Sequence, residues 1–233
     1  MIRRFAPLLL LIAAAPAFAQ APATAAPTTA PAASAPPVAA ATPPAEAPPP
    51  ASPVEAPKPA TVQVALDTAA GRIVLAIETE RAPLSAKNFL RYVDGKKLDG
   101  TGFYRAANIA PGYGLVQFGT RYDPKRTLPP IALEPTSKTG LSHTDGAISM
   151  ARAGPNTGSG DFFIVVGDMK SMDADPTQPG DNQGFAVFGH VVEGMDVVKK
   201  ILEAPTSPTE GEGVMKGQML SPVVTIADAR RAP

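Results

Sequence analysis

Alternation of apolar and polar positions first becomes organised near residue 62. Val62-Gln63-Val64-Ala65-Leu66 and Ile73-Val74-Leu75-Ala76-Ile77 are short β-rich runs. Asp67-Thr68-Ala69-Ala70-Gly71 between them carries turn chemistry and predicts a hairpin. The period then lengthens: Leu84, Phe89, Leu90 and Val93 recur at near-helical spacing over Ala82–Val93. Pro83 falls in the first turn, where its missing N–H costs little, and Gly95 supplies the stop. Short strands follow at Gly102–Arg105, Leu115–Phe118, Gly146–Met150, Phe162–Val166 and Ala186–Val191. A second helix is predicted over Met195–Leu202 and a last strand over Val223–Ile226. Many short strands, two separated helices and no βαβ rhythm predict a mainly β fold, a closed antiparallel barrel capped by helices.

One stretch stands apart. Met150–Val166 has an apolar approach, a small-residue loop from Ala153 to Gly160, and an apolar exit, Phe162-Phe163-Ile164-Val165-Val166. Two to five residues suffice for a simple hairpin, so this loop is long. On composition alone a flexible surface loop fits it. The adjacent phenylalanines argue for more, because strand neighbours face opposite sides. One ring can enter a core while the other lines a surface or pocket.

Composition narrows the chemistry. The 233-residue chain has no Cys, which removes disulfides, thiol nucleophiles and Cys-based metal sites. Lys+Arg and Asp+Glu balance at 21 each, which argues against a nucleic-acid partner. Residues 1–19 read as a secretory signal: Arg3 and Arg4, an apolar core Leu8–Ala15, and the small-x-small site Ala17-Phe18-Ala19. An uncleaved anchor is the competing reading. The expected destination is the bacterial periplasm, with no stable membrane insertion after cleavage. Residues 20–60 are almost entirely Ala, Pro, Thr and Ser, a composition that cannot bury enough apolar surface to fold and that predicts an extended linker. Residues 61–231 then form one domain.

Candidate chemistry outside the strands is thin. Ser142, His143 and Asp145 lie within four positions, but no nucleophile-elbow sequence accompanies them and a turn is the simpler reading. His143 and His190 form no metal-ligand spacing, and the glycine-rich loop lacks the Gly-Lys-Ser/Thr of a phosphate cradle. No metal or cofactor is expected. Asp168, Asp173, Asp175 and Asp181 lack calcium-loop spacing and read as a solvated loop. In Gly102-Phe103-Tyr104-Arg105, strand alternation would place Phe103 and Arg105 on one face and Tyr104 on the other. Locally, Arg105 reads as a surface residue stacked on a ring, and Gln117 as an edge-strand polar residue.

Taken together, the segments from Val62 to Ile226 resemble the cyclophilin family of peptidyl-prolyl cis–trans isomerases. The most specific pieces are Met150-Ala151-Arg152-Ala153-Gly154-Pro155-Asn156-Thr157 followed by Phe162-Phe163-Ile164, and Ala186-Val187-Phe188-Gly189-His190 running on to Val198. The resemblance implies an eight-stranded antiparallel barrel closed by two helices, with a substrate groove on its outer face. It implies that Arg105 is catalytic and that Gln117 hydrogen-bonds the substrate backbone. Phe163 would floor the proline pocket, Leu115 would stand where the family usually has Met, and Met172 and Phe185 would form further wall. Ala151 and Arg152 match the strand that pairs with a bound peptide. The implied partners are proline-containing unfolded or extended polypeptides, met by a monomer.

The chain also departs from the family. The Arg105–Gln117 spacing is longer than usual, Gly114 replaces a pocket Phe, and Ser171 replaces an aromatic. Asp161 replaces a common Gln in the substrate-binding set, placing a carboxylate near the Arg105 guanidinium, where direct pairing would either hold the arginine or withhold it from substrate. Two functions follow: an isomerase assisting folding of exported proteins, with Arg105 stabilising the twisted amide, or a peptide-binding chaperone module on the same barrel with little catalysis.

Overall fold

The computed structural model describes residues 60–232. The predicted signal 1–19, and the predicted linker except for its last residue, lie outside the described residues. The first hairpin forms as its pattern dictates: β1 (Thr61–Thr68) pairs antiparallel with β2 (Gly71–Glu78), closing at Thr68 opposite Gly71. Helix α1 (Pro83–Asp94) follows, with proline in its first turn. Strands β3 (Gly102–Ala110) and β4 (Tyr113–Gly119) make a hairpin whose tip is Pro111-Gly112. A single helical turn, α2 (Thr136–Thr139), precedes β5 (Ala147–Met150) and β6 (Asp161–Val166). Then come β7 (Ala186–Glu193), α3 (Met195–Leu202), the two-residue β8 (Thr206–Ser207) and the long β9 (Met219–Arg231).

The sheet order is β1-β2-β7-β5-β6-β4-β3-β9, and β9 returns to β1, so eight strands close on themselves. Closure leaves no open edge along this ring. Short β8 only fringes β9. The predicted barrel and both predicted long helices are therefore present. The expected strand at Gly102–Arg105 is the first half of the longer β3, and Val223–Ile226 is the middle of the longer β9. Ala106–Ala110 carries little strand signal, yet it pairs along β4 as far as Ala110 opposite Tyr113.

The interior is filled by inward residues of the eight ring strands together with one face each of α1 and α3. Phe89 of α1 meets Phe162 edge-on at 5.0 Å and Phe188 at 5.4 Å, the offset geometries that aromatic pairs prefer. Helix α1 has a problem at its start, because Ala82 at the N-cap has no side-chain acceptor. Glu134, 3% exposed, solves it from 50 residues away. Its carboxylate accepts from the Leu84 N–H (3.1 Å), the Ser85 N–H (2.7 Å) and the Ser85 hydroxyl (2.7 Å). A negative charge at a helix N-terminus also meets the positive end of the helix dipole.

Glu134→Ala should therefore destabilise the domain by about 1–3 kcal/mol, since it orphans buried donors as well as removing the cap. Urea unfolding followed by circular dichroism measures this, and an unshifted midpoint would remove Glu134 from the capping role.

Candidate active site

The wall formed by β4 to β7 is apolar on both faces. On β6, Phe162, Ile164 and Val166 enter the barrel core, while Phe163 and Val165 join a second cluster on the outer face. Leu115, Ala147 and Val187 reach the same outer cluster from β4, β5 and β7. Above it lies a groove of about 450 Å³. Leu115, Gln117, Ala151, Arg152, Phe163, Met172, Phe185 and Arg105 all line it, so seven positions expected to contact substrate converge on one cavity with the arginine.

Arg105 reaches the groove by a route that alternation did not foresee. The register of β3 against both β4 and β9 shifts between Phe103 and Arg105. This bulge at Tyr104 sends Phe103 inward, fully buried against Phe118 at 4.7 Å, while Tyr104 and Arg105 both line the groove. The expectation that Phe103 and Arg105 share a face is thus corrected: an extra residue in a strand reverses the alternation beyond it. The Arg105 guanidinium donates from Nη1 to Gln117 Oε1 at 3.0 Å. From Nε and Nη2 it donates to Gln218 Oε1, at 2.9 and 2.7 Å. Burial pushes its pKa below the usual arginine value.

Asp161 stands differently from its expected place. It is 1% exposed and is not part of the groove lining. Its Oδ1 accepts from the Tyr104 hydroxyl and the Arg121 N–H, each at 2.9 Å, and Oδ2 accepts from the Tyr122 N–H at 3.4 Å. Among the described residues Arg105 makes no ion pair with Asp161. The carboxylate instead ties Tyr104, beside the arginine, to the loop carrying Arg121 and Tyr122. Burial raises the Asp161 pKa, against the lowering effect of these donors.

Arg152 is anchored at the opposite side. It forks onto Asp181 at 2.6 and 2.8 Å, donates to the Gly184 carbonyl at 2.7 Å, and lies 5.2 Å from the Phe185 ring centroid. The bidentate pair holds Asp181 at a pKa of about 2. The Ala151 N–H donates to the Asp161 carbonyl at 2.9 Å, so the groove edge continues directly from the barrel ladder.

His143 does not partner Asp145. Its Nδ1 lies 2.6 Å from Asp173 Oδ1 and its Nε2 3.0 Å from the Ser149 hydroxyl, with the ring stacked parallel to Phe163 at 5.9 Å. Ser149 and His143 are both fully buried, so no substrate carbonyl can reach that hydroxyl; the cluster braces the groove floor. Burial lowers the His143 pKa against the pull of Asp173, which favours neutral imidazole donating from Nδ1 to the carboxylate.

The departures resolve geometrically. A Cβ on Gly114 would meet the Ala107 carbonyl oxygen at 2.1 Å, so the long β3–β4 hairpin leaves no room for a side chain there. Tyr113 packs instead against the outer cluster. Ser171 is exposed and does not line the groove. Sequence reasoning missed Gln218, Tyr104, and the wall of Gly211, Glu212, Met215 and Met219. Only an unpaired apolar pair, Val214-Met215, near a polar turn hinted at that wall.

Asp161 offers a test of this arrangement. Its raised pKa means that the fold favours the neutral carboxyl, a contribution present below about pH 4 and lost as pH rises through the folded value. The stability of Asp161→Asn relative to wild type should therefore rise over that interval, read from urea midpoints at several pH values. A pH-independent difference would contradict the buried-carboxyl description.

Comparisons with known proteins agree with the fold. The family model described as cyclophilin type peptidyl-prolyl cis-trans isomerase/CLD matches residues 61–230. A peptidyl-prolyl cis-trans isomerase of Acinetobacter baylyi is 38% identical over 152 residues, covering 64% of this chain and 76% of that protein. Peptidyl-prolyl cis-trans isomerase A of Dickeya dadantii is 38% identical over 150 residues, 63% of this chain and 74% of the relative. The fold also matches a crystal structure of a Cryptosporidium parvum cyclophilin type peptidyl-prolyl cis-trans isomerase, solved in the presence of the dipeptide Ala-Pro. The TM-score is 0.59 at 19% identity, over 73% of this chain and 99% of that one. With the closed barrel, the two-faced wall and the arginine groove in place, the chain belongs to the cyclophilin-type peptidyl-prolyl cis-trans isomerase family.

Proposed function

We propose that the groove accelerates cis–trans isomerisation of X–Pro bonds in extended polypeptides. The observation that carries this reading is the placement of Arg105, held by two neutral amide oxygens in the same cavity as the Phe163 floor. Amide resonance sets a barrier of about 18–20 kcal/mol to rotation. Twisting the bond ends that resonance, and the proline nitrogen becomes pyramidal and regains a lone pair. A guanidinium N–H donates to this lone pair in the twisted state and finds no such acceptor in the planar amide, so the interaction favours the transition state. No bond is made or broken and no proton leaves the protein.

The remaining groove supplies geometry. Phe163, Leu115 and Met172 offer an apolar seat for the proline ring, and Gln117 offers an amide to the neighbouring backbone. The edge at Ala151 and Arg152 suits an extended peptide aligned by backbone pairing. The signal-like residues 1–19 support a further part of the proposal: the enzyme acts on exported proteins outside the cytoplasm, in the periplasm.

A second reading, peptide binding with little catalysis, draws on Ser171, which stands outside the groove lining at a position where the family usually has an aromatic. A wild type that binds unfolded chains but leaves X–Pro exchange unaccelerated would favour it.

For the isomerase reading, Arg105→Ala should lower kcat/KM for a short X–Pro peptide by roughly 100-fold. Unchanged turnover would withdraw the role of Arg105. For the export reading, N-terminal sequencing of the cell-derived protein should begin at Gln20; a chain still starting at Met1 would indicate a retained segment.

A further inference from the structure

Arginine carries five N–H donors in a rigid plane and no acceptor. In Arg105 three of the five are engaged, and two of those three go to one atom, Oε1 of Gln218. Because a guanidinium only donates, the Gln218 amide must turn its oxygen toward it. The Gln218 backbone is itself fixed on both sides. Its carbonyl accepts from the Ala106 N–H at 2.9 Å, and its N–H donates to the Met215 carbonyl at 3.0 Å. Its neighbour Met219 stands opposite Arg105 in the β3–β9 ladder. Gln218 thus approaches the arginine from the residue just before β9 while Gln117 approaches from β4, and the plane of the guanidinium is gripped at two edges.

Both gripping groups are neutral. A carboxylate in either place would orient the guanidinium equally well, but it would also neutralise the charge that the twisted amide is to meet. An amide dipole orients without cancelling. The two N–H bonds left over, one on each Nη, retain the full cationic character of the group.

We propose that Gln218 is a positioning residue for the isomerase reaction, fixing the plane of the Arg105 guanidinium while leaving its charge uncompensated. This rests on the isomerase reading above. It assigns to the segment just before β9 a part in the chemistry that neither the strand pattern nor the aromatic groove implies.

Two substitutions separate orientation from packing and charge. Gln218→Met keeps the side-chain length and removes the acceptor; Gln218→Glu keeps an acceptor and adds a charge. With thermal melts as the folding control, Gln218→Met should lower kcat roughly tenfold with KM little changed, as expected when a catalytic group loses its alignment. Gln218→Glu should also lower kcat, because its carboxylate pairs with the arginine. In an Arg105→Ala background, Gln218→Met should have no further effect, which is the signature of two groups acting as a unit. The Arg105 Nε–H, followed by nitrogen–proton NMR, should exchange faster with water in Gln218→Met than in wild type. Wild-type kcat in Gln218→Met beside an impaired Arg105→Ala would overturn the Gln218 assignment alone. Wild-type activity in both would overturn it together with the role of Arg105. Full activity in Gln218→Glu would overturn the requirement for a neutral acceptor.

Discussion

The barrel wall between β4 and β7 separates two apolar clusters, and that double burial fixes most of what surrounds it. Phe162 and Phe163 are consecutive, yet one belongs to the interior and the other to the groove floor. A slip of one residue in β6 would exchange every side chain between the two faces. With both faces packed, such a slip would also mismatch both clusters at once. The floor of the groove is therefore as rigid as the core that stands behind it. The His143–Asp173 pair extends this rigidity outward. It stacks on Phe163 from one side, and it holds the segment carrying Met172 through Asp173, the residue that follows.

Upon this wall the charged groups are sorted by what is allowed to neutralise them. Arg152 has a carboxylate partner in a bidentate pair and reads as structure. Asp161 has three donors and, among the described residues, no ion pair, and it serves as a buried knot between Tyr104 and the Arg121–Tyr122 backbone. Among the described residues the Arg105 side chain has only amide oxygens as partners. The bulge at Tyr104 makes the sorting geometrically workable. It brings Tyr104 and Arg105 to the same cavity, so that the tyrosine hydroxyl can occupy the carboxylate while the guanidinium turns toward the two glutamines. Had β3 remained regular, one of the two side chains would have pointed into the barrel.

How much of this was legible from the sequence follows from the range of the forces involved. Continuous apolar runs such as Phe162–Val166 and near-helical spacing such as Phe89, Leu90 and Val93 report local burial, and they placed the strands and both long helices. Features set by distant residues left no local trace. Glu134 caps α1 across 50 positions, and Gln218 reaches Arg105 across 113. The bulge at Tyr104 is likewise a property of three strands in register, so the alternation rule misassigned Phe103. Asp161 was legible as a carboxylate near an arginine, but the choice of partner depended on backbone N–H groups of a loop that carries no pattern. The resemblance to cyclophilins identified the groove residues because family motifs encode such long-range arrangements as fixed residue identities.

The energetic demands on the groove explain why these supports matter. On the mechanism proposed for Arg105, a preorganised donor of this kind would contribute about 3 kcal/mol to a transition state, or roughly two decades of rate. That is a fraction of the rotational barrier, and it is delivered only if the N–H already points where the lone pair will appear. A flexible arginine on a strand surface would have to freeze several rotatable bonds, losing on the order of 1–2 kcal/mol of conformational entropy at the moment of reaction. Gln117 and Gln218 order those bonds in the folded protein. Burial disfavours the cation, as its lowered pKa records. Neutral acceptors resolve the conflict: they solvate the half-buried guanidinium without neutralising it, and on the proposed mechanism they leave its positive field for the one bond in the substrate that gains an acceptor as it twists.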